Sequence, residues 1–232
     1  MRKVGVTGGI GSGKSVVCNH FMEAYQVPTY YTDDEARNLM ETDPELVHKL
    51  KAKFGDEIYV KGKLNRPFLG QMVFSDLTKL AELNGIVHPV VRKDLAAWFK
   101  SREHTGIPYA LVESAIMFES GLHLELDYTI VVTADYTTRL SRVMHRDKCS
   151  AVEADKKMAA QMNQKDKEKL GDFVLDNSQN DRIWNTDVKF KIAEIDATLT
   201  GSGRVEVNRG PMSQVSQAQL DAERNGPGWD GW

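Results

Sequence analysis

Residues 8–15 carry the clearest chemical signal in the chain, because they read Gly-Gly-Ile-Gly-Ser-Gly-Lys-Ser and fit the pattern G-x-x-x-x-G-K-[ST] without a mismatch. In this motif the glycines let consecutive backbone N–H groups point inward around a phosphate. The ammonium of Lys14 would reach the β- and γ-phosphate oxygens, and the hydroxyl of Ser15 would bind Mg²⁺. We therefore predict nucleotide contacts at Gly9, Ile10, Gly11, Ser12, Gly13, Lys14, Ser15 and Val16.

The elements on either side of residues 8–15, which we call the phosphate loop, are those that the motif requires. Residues 4–7 form a short apolar strand candidate, and apolar residues follow the loop with helical spacing from Val17 on. A helix that begins at the end of the loop would present its positive end to the phosphates. A glycine-rich turn that matched the motif by accident would have no reason to carry both flanking elements.

The phosphate loop alone does not separate kinases from ATPases and GTPases. A GTPase would carry an N-K-x-D motif after a strand, whereas residues 163–166 read Asn-Gln-Lys-Asp, which we interpret as a solvated helix end. His145, Arg146 and Asp147 resemble the catalytic loop of protein kinases, but those enzymes use a different phosphate loop. The motif therefore predicts a phosphotransferase or another nucleotide-dependent protein and leaves its acceptor open.

Composition limits the classes of partner. The chain has 232 residues, of which 41% are hydrophobic, so it can bury a core. Its net charge of -3 provides no general positive field for nucleic acid. No apolar stretch approaches the roughly 18 residues of a membrane span. Cys18 and Cys149 form no C-x-x-C pair and match no zinc-ligand spacing. We expect a cytoplasmic protein with neither nucleic acid nor membrane as a partner.

Apolar strand candidates alternate with helical segments, which predicts an α/β fold in which helices flank a parallel sheet. Strands are predicted at residues 4–7, 27–31, 109–112, 128–133 and 173–175. The longer predicted helices cover residues 67–84, 89–102, 137–145, 151–162 and 182–199, with a break assigned to the His88-Pro89 step. Residues 201–232 are rich in Gly, Ser, Gln and Asn, and they predict a mobile tail.

Taken in order, the motifs resemble the dephospho-CoA kinase family over residues 1–199. The likeness is carried by residues 6–15, 32–37, 62–66, 86–89 and 113–119, and by Arg142, Arg146, Asp147, Gln161, Asp176 and Asn177. The sequence departs from the family at Tyr31, where the acidic segment commonly begins with Asp. It departs again at residues 115–117, where Ala-Ile-Met replaces a Pro-Leu-Leu run, and in the tail beyond the usual end of the family.

The resemblance implies a P-loop kinase domain at residues 1–200, with a helical substrate-binding segment at 60–102 and a lid at 137–170. It implies ATP as phosphate donor, Mg²⁺ as cofactor and the 3′-hydroxyl of dephospho-CoA as acceptor. Another small-metabolite kinase, acting on a nucleoside monophosphate or shikimate, is the alternative. A nucleotide-dependent switch or binding module is a further one.

Three residues are expected to act on the transferred group. The resemblance makes Asp33 the group that orients or deprotonates the acceptor hydroxyl, although its position also suits the N-cap of the next helix. Lys14 and Arg146 would stabilise the charge on the phosphoryl oxygens. The resemblance also gives Arg142 a nucleotide contact, whereas we expect Arg139 to lie at the surface.

The remaining expected roles concern metal, adenine and acceptor. Glu113 follows an apolar strand and would join Ser15 at the metal, or would simply be a charge at the sheet edge. Asn177 would contact adenine. From the resemblance we also expect the acceptor to be bound by Arg66, His88 and Phe118, for which a loop anchor, a helix cap and a core position are the structural alternatives.

Overall fold

The computed structural model describes residues 1–74, 76–178 and 186–202. From position 203 on, the predicted tail lies outside the described residues. Residues 182–185 of the helix predicted at 182–199 also lie outside them, and the described part of that helix is Thr186–Thr200.

A five-stranded parallel sheet lies at the centre of the fold. In spatial order its strands are β2 (Thr29–Tyr31), β5 (Tyr109–Glu113), β1 (Arg2–Thr7), β6 (Tyr128–Thr133) and β7 (Phe173–Asp176). The short strands β3 (Tyr59–Val60) and β4 (Lys63–Leu64) form a separate antiparallel hairpin. Since Glu113 is in register with both Val6 and Tyr31, the carboxyl ends of β1, β2 and β5 lie side by side. The predicted α/β class with a parallel sheet is confirmed.

Helices follow the strands and cover both faces of the sheet. They are α1 (Lys14–Tyr25), α2 (Thr32–Thr42), α3 (Pro44–Phe54), α4 (Arg66–Phe74), α5 (Leu77–Lys100), α6 (Tyr136–Asp147), α7 (Ala151–Ala159), α8 (Gln164–Leu170) and α9 (Thr186–Thr200). Successive residues of β5 point to opposite faces of the sheet. Val112 packs in the hydrophobic cluster with α2 to α5, whereas Leu111 packs in the cluster with α1 and α9. A third cluster joins Ile10 of the phosphate loop to Val143 of α6 and Met158 of α7.

The predicted helix break at His88-Pro89 is wrong. Helix α5 runs from Leu77 to Lys100 with Pro89 inside it. Pro89 is exposed, whereas Val87 and Val91 on either side of it are buried. The missing N–H group and the ring of the proline therefore face water, and the buried face holds the helix on the core.

Two other predicted boundaries change. Helix α2 begins at Thr32 with Tyr31 as its N-cap residue, so Asp33 lies in the first turn and does not cap the helix. The reason is that β2 runs directly into α2, which moves the cap position back to the last strand residue. The helix predicted at 151–162 ends at Ala159, and α8 is a separate helix.

Candidate active site

The phosphate loop connects the central strand β1 to α1. Gly13 precedes the first helical residue and has a left-handed backbone, with φ of +92°. The left-handed region is costly for residues with a Cβ atom. A Cβ at this position would also lie 2.3 Å from Nδ2 of Asn177. The glycine at position 13 is therefore required both by the backbone conformation and by the space beside it.

Lys14 follows as the first residue of α1, and its side chain turns back over the loop. Its ammonium donates a hydrogen bond to the carbonyl of Gly8 at 3.1 Å and lies 4.0 Å from Oε1 of Glu113. Lys14 is only 9% exposed. A buried cation thus stands at the N-terminus of a helix, where both the dipole and the backbone N–H groups favour an anion.

Two carboxyl groups face Lys14 from neighbouring strand ends. Glu113 is the last residue of β5 and is buried, and its burial raises the pKa of the carboxyl to about 7. Loss of water around Asp33 also raises the pKa of that carboxyl, although Lys14 and Arg37 act in the opposite direction. These groups border a cavity of about 510 Å³. Residues lining it include Lys14, Ser15, Asp33, Glu113, Arg146 and Gln161.

The arginines of α6 approach the phosphate loop from the other side. Arg142 donates a long hydrogen bond of 3.4 Å to the carbonyl of Gly11. Arg146 borders both the main cavity and a second one of about 250 Å³ beside Gly13 and Val16. Its guanidinium also bonds Asp147, at 2.7 Å, and this contact lowers the pKa of the Asp147 carboxyl to about 2.

The expectation that Arg139 lies at the surface is wrong. Arg139 is half-buried, and its backbone packs so close to the phosphate loop that a Cβ on Gly11 would lie 2.6 Å from its carbonyl oxygen. A Cβ on Gly9 would lie 2.6 Å from Nη1 of the same arginine. Helical spacing put Arg139 on the same face as Arg142 and Arg146, but only the packing of α6 shows which face meets the loop.

Two glutamines hold the start of the phosphate loop. The backbone N–H of Ile10 donates to Oε1 of Gln161 at 2.7 Å, and the N–H of Gly9 donates to Oε1 of Gln164 at 2.7 Å. Sequence reasoning placed residues 163–166 at a solvated helix end, which is wrong for Gln164, since it is buried while Lys165 is exposed. No local pattern distinguishes these neighbours.

Asn177 follows β7 and also contacts the phosphate loop. Its backbone N–H donates to the carbonyl of Thr133 at 2.7 Å, and its side-chain amide donates to the carbonyl of Ser12 at 2.9 Å. The residue expected to contact adenine therefore stands beside the loop at the carboxyl edge of the sheet.

The three residues expected to bind the acceptor lie away from these groups. Arg66 pairs with Glu41 at 3.3 Å and is partly exposed at the start of α4. His88 borders a separate small cavity together with Arg92. Phe118 is 1% exposed, and its ring packs against His123 at 5.1 Å. The structure brings none of the three to the cavity that contains Asp33.

Tyr31, where the chain departs from the family pattern, does border that cavity. Its hydroxyl donates to Oδ1 of Asn19 at 2.9 Å. Burial, with Cys18 and Glu113 nearby, raises the pKa of the Tyr31 hydroxyl to about 12, so the side chain is neutral at physiological pH. Asp33 and Glu113 are accordingly the carboxylates that face Lys14 here.

The donor set at this edge suits Mg²⁺. The hydroxyl of Ser15 and the carboxyl groups of Asp33 and Glu113 are oxygen ligands, which Mg²⁺ prefers. Among the described residues, no group of three or more His, Cys, Asp or Glu side chains could bind a metal on its own. A site completed by waters and phosphate oxygens is the usual arrangement for Mg²⁺ in phosphoryl transfer.

In the same described ranges, no helix has both the length and the apolar character of a membrane span.

Comparison with known proteins places the chain in a family. The family model for dephospho-CoA kinase matches residues 2–182. The chain is 37% identical to a dephospho-CoA kinase from Bacteroides fragilis over 175 residues, which are 75% of this chain and 84% of the relative. It is 34% identical to one from Salinibacter ruber over 202 residues, which are 87% of this chain and 99% of the relative.

Solved structures give the same fold. A crystal structure of a Thermus thermophilus protein aligns with a TM-score of 0.71 and 32% identity, over 86% of this chain and 97% of that one. A dephospho-CoA kinase from Campylobacter jejuni aligns with a TM-score of 0.63 over 86% of this chain and 98% of its own, at 23% identity, and supports the fold alone. By its family match and its relatives, the chain belongs to the dephospho-CoA kinase family.

Proposed function

We propose that this protein transfers the γ-phosphoryl group of ATP to the 3′-hydroxyl of dephospho-CoA, giving coenzyme A and ADP. The observation that carries the proposal is the meeting of Lys14 and Asp33 at one cavity. In this proposal Lys14 holds the phosphates of the donor, and Asp33 receives the proton of the acceptor hydroxyl. Family membership supplies the identity of the acceptor.

Lys14 and the backbone of the phosphate loop hold the donor. The N–H groups at the start of α1 and the ammonium of Lys14 bind the β- and γ-phosphate oxygens. Arg146, which borders the cavity, and Arg142 beside Gly11 add positive charge on the other side. Because phosphoryl transfer depends on position and electrostatics, these positive charges stabilise the negative charge on the phosphoryl oxygens in the transition state.

Asp33 acts on the acceptor. The bond between the γ-phosphorus and the bridging oxygen breaks as the 3′-oxygen of the acceptor bonds to phosphorus, and the hydroxyl proton passes to the Asp33 carboxylate. Loss of water raises the pKa of this carboxyl, which brings it closer to a pKa suited to accepting a proton. Lys14 and Arg37 act in the opposite direction and favour the ionised form of this carboxyl.

Mg²⁺ fits the oxygen donors at the edge of the cavity. Ser15 would bind the ion, and Glu113 would hold its water shell. When bound, Mg²⁺ neutralises charge on the β- and γ-phosphate oxygens. A cation here would also offset the burial of the Glu113 carboxyl, whose pKa of about 7 reflects desolvation.

We assign the remaining parts by the same proposal. Residues 60–102 receive the pantetheine part of the acceptor, with Arg66, His88 and Phe118 as residues that bind it or shape its site. Residues 137–170 act as a lid over the donor, and Asn177 contacts adenine. The reaction takes place in the cytoplasm, in keeping with the free thiols of Cys18 and Cys149.

A panel of acceptors tests the proposal. The purified protein with Mg²⁺ and ATP is offered dephospho-CoA, AMP or shikimate, and both ADP and the phosphorylated product are measured. We expect product from dephospho-CoA and negligible product from the other two. Turnover of AMP or shikimate without turnover of dephospho-CoA would show that the acceptor is wrongly assigned.

Asp33→Asn tests the role of the carboxylate. We expect kcat to fall by about 10²–10⁴-fold, the usual contribution of a positioned base, while ATP affinity changes little. Glu45→Gln is the control, because Glu45 is in the first turn of the next helix, its side chain is 74% exposed and pairs with Lys49, and it does not border the cavity. Equal effects of the two substitutions, or an Asp33→Asn variant with wild-type turnover, would refute the assignment.

A further inference from the structure

Lys167 in α8 has an unusual environment for a lysine. Its side chain is 0% exposed. Its ammonium donates to the backbone carbonyl of Ala115 at 2.6 Å and pairs with Oε1 of Glu119 at 2.7 Å. Lysine is almost never fully buried unless it is paired, and burying both charges is expensive. A buried ion pair is also weak evidence for stability, since apolar residues often serve equally well.

The contact of Lys167 with Ala115 and Glu119 joins two segments that lie on different sides of the cavity. Ala115 and Ile116, in the loop at residues 114–121, border the cavity that contains Asp33. Glu119 in the same loop also accepts the backbone N–H of Met162 at 3.0 Å. The loop is therefore joined to the stretch at residues 161–167 at both its beginning and its end.

That stretch also holds the phosphate loop. Gln161 and Gln164 accept the N–H groups of Ile10 and Gly9, as described above. Gln164 and Lys167 lie three residues apart in α8, so a single turn of helix reaches both loops. The donor side and the wall opposite it are linked through residues 161–167.

We propose that Lys167 is a positioning residue, whose buried ammonium fixes the distance between the phosphate loop and the cavity wall at residues 114–121. The inference rests on the proposed function where it concerns transfer. With the spacing fixed, the acceptor hydroxyl occupies the place next to the γ-phosphorus. With the spacing loosened, water takes that place and accepts the phosphoryl group, so that ATP and water give ADP and inorganic phosphate.

The transfer test compares coenzyme A formed with ADP released, at saturating ATP and dephospho-CoA. Wild type should give a ratio near one. In Lys167→Met and in Glu119→Gln we expect the ratio to fall about tenfold or more, because a small misplacement of reacting groups costs up to about a hundredfold in rate. Lys169→Met is the matched control, since Lys169 is in the same helix with its side chain 73% exposed, and it should keep the wild-type ratio.

A structural role alone would leave a different trace. If Lys167 only stabilised the fold, both products would fall in proportion and the ratio would stay near one, which would overturn the proposal. If Lys167→Met does not fold, the shape-conserving Glu119→Gln decides the question. The double variant Lys167→Met/Glu119→Gln, which removes both charges of this pair, should fold better than Lys167→Met and still give a lowered ratio.

Hydrogen exchange provides a test that does not depend on the acceptor. The amides of Gly9 and Ile10 should exchange at least about tenfold faster in Lys167→Met than in wild type, while those of β6 and the whole Lys169→Met variant remain unchanged. Unchanged exchange at the loop, or an equal rise in β6, would overturn the proposal. The two proposals can fail separately. If the wild-type protein does not phosphorylate dephospho-CoA, but Gly9 and Ile10 exchange faster in Lys167→Met than in wild type, only the proposed function is rejected.

Discussion

His88 should make the stability of the protein sensitive to acid. Burial, together with the positive charge of Arg92, lowers the pKa of His88 to about 4 from the ordinary 6.5. Between these values the unfolded chain binds a proton that the folded chain does not, so the free energy of unfolding decreases as the pH falls from 6.5 toward 4. Above pH 6.5 the residue is neutral in both states and has no such effect.

The size of the effect follows from the two pKa values. Between pH 8 and pH 5 a full shift corresponds to about 2 kcal/mol. Because His88 retains some exposure, solvent screening reduces this figure, and we expect about 1–2 kcal/mol. The assay is urea unfolding of wild type and His88→Gln at both pH values. The variant should lose that much less stability than wild type on acidification.

Equal losses in the two proteins would refute the reasoning, since all other titrating groups are common to both. The result also bears on the acceptor. A neutral imidazole at pH 7 can form hydrogen bonds with dephospho-CoA but offers no charge to its phosphates. If His88 did serve as a cation for the acceptor, the KM for dephospho-CoA would rise as the pH increases through the pKa of the imidazole in the folded enzyme.

Two further predictions concern the phosphate loop and the metal. Gly13→Ala should weaken ATP binding about tenfold or more, because the phosphate loop must shift to relieve left-handed strain of about 1–2 kcal/mol and the clash with Asn177, which moves the N–H groups that hold the phosphates. Gly62→Ala is the control, because Gly62 has a φ of +80° and no heavy atom lies within 4 Å of the added Cβ. It should lower the stability of the protein but leave ATP affinity unchanged. Equal ATP affinities in the two variants would contradict the prediction. Glu113→Gln should raise the Mg²⁺ concentration for half-maximal activity by about 10–100-fold, whereas the surface change Glu23→Gln should not; an unshifted Mg²⁺ titration would remove Glu113 from the metal site.

The parts of the fold that sequence predicted well are those set by local pattern. The phosphate loop combines a fixed spacing of glycines with a strand and a helix, and its conformation follows from them. The buried strands β5 and β6 are continuous apolar runs, which few other structures accommodate. Local residue types also account for the start of α3, where Pro44 is the first helical residue and the Asp43 carboxylate accepts the N–H of Leu46 at 2.8 Å.

The parts that sequence missed depend on partners far along the chain. Lys167 is in a helix rich in charged residues, and its burial depends on contacts with residues far along the chain, among them Glu119 and Ala115. Proline commonly ends a helix, but here the rest of α5 is held on the core and Pro89 faces water. In both cases tertiary contacts outweigh the local preference.

The division of the core by the sheet has a consequence for how the protein can change over time. One hydrophobic cluster packs α2 to α5 on one face, and another packs α1 and α9 on the other. If the acceptor binds on the α2 to α5 side, as proposed above, substitutions in the first cluster would alter the acceptor site without disturbing the packing beneath α1. Descendants of such a chain could then change their acceptor while they keep the same nucleotide site, with the sheet as the boundary between the two.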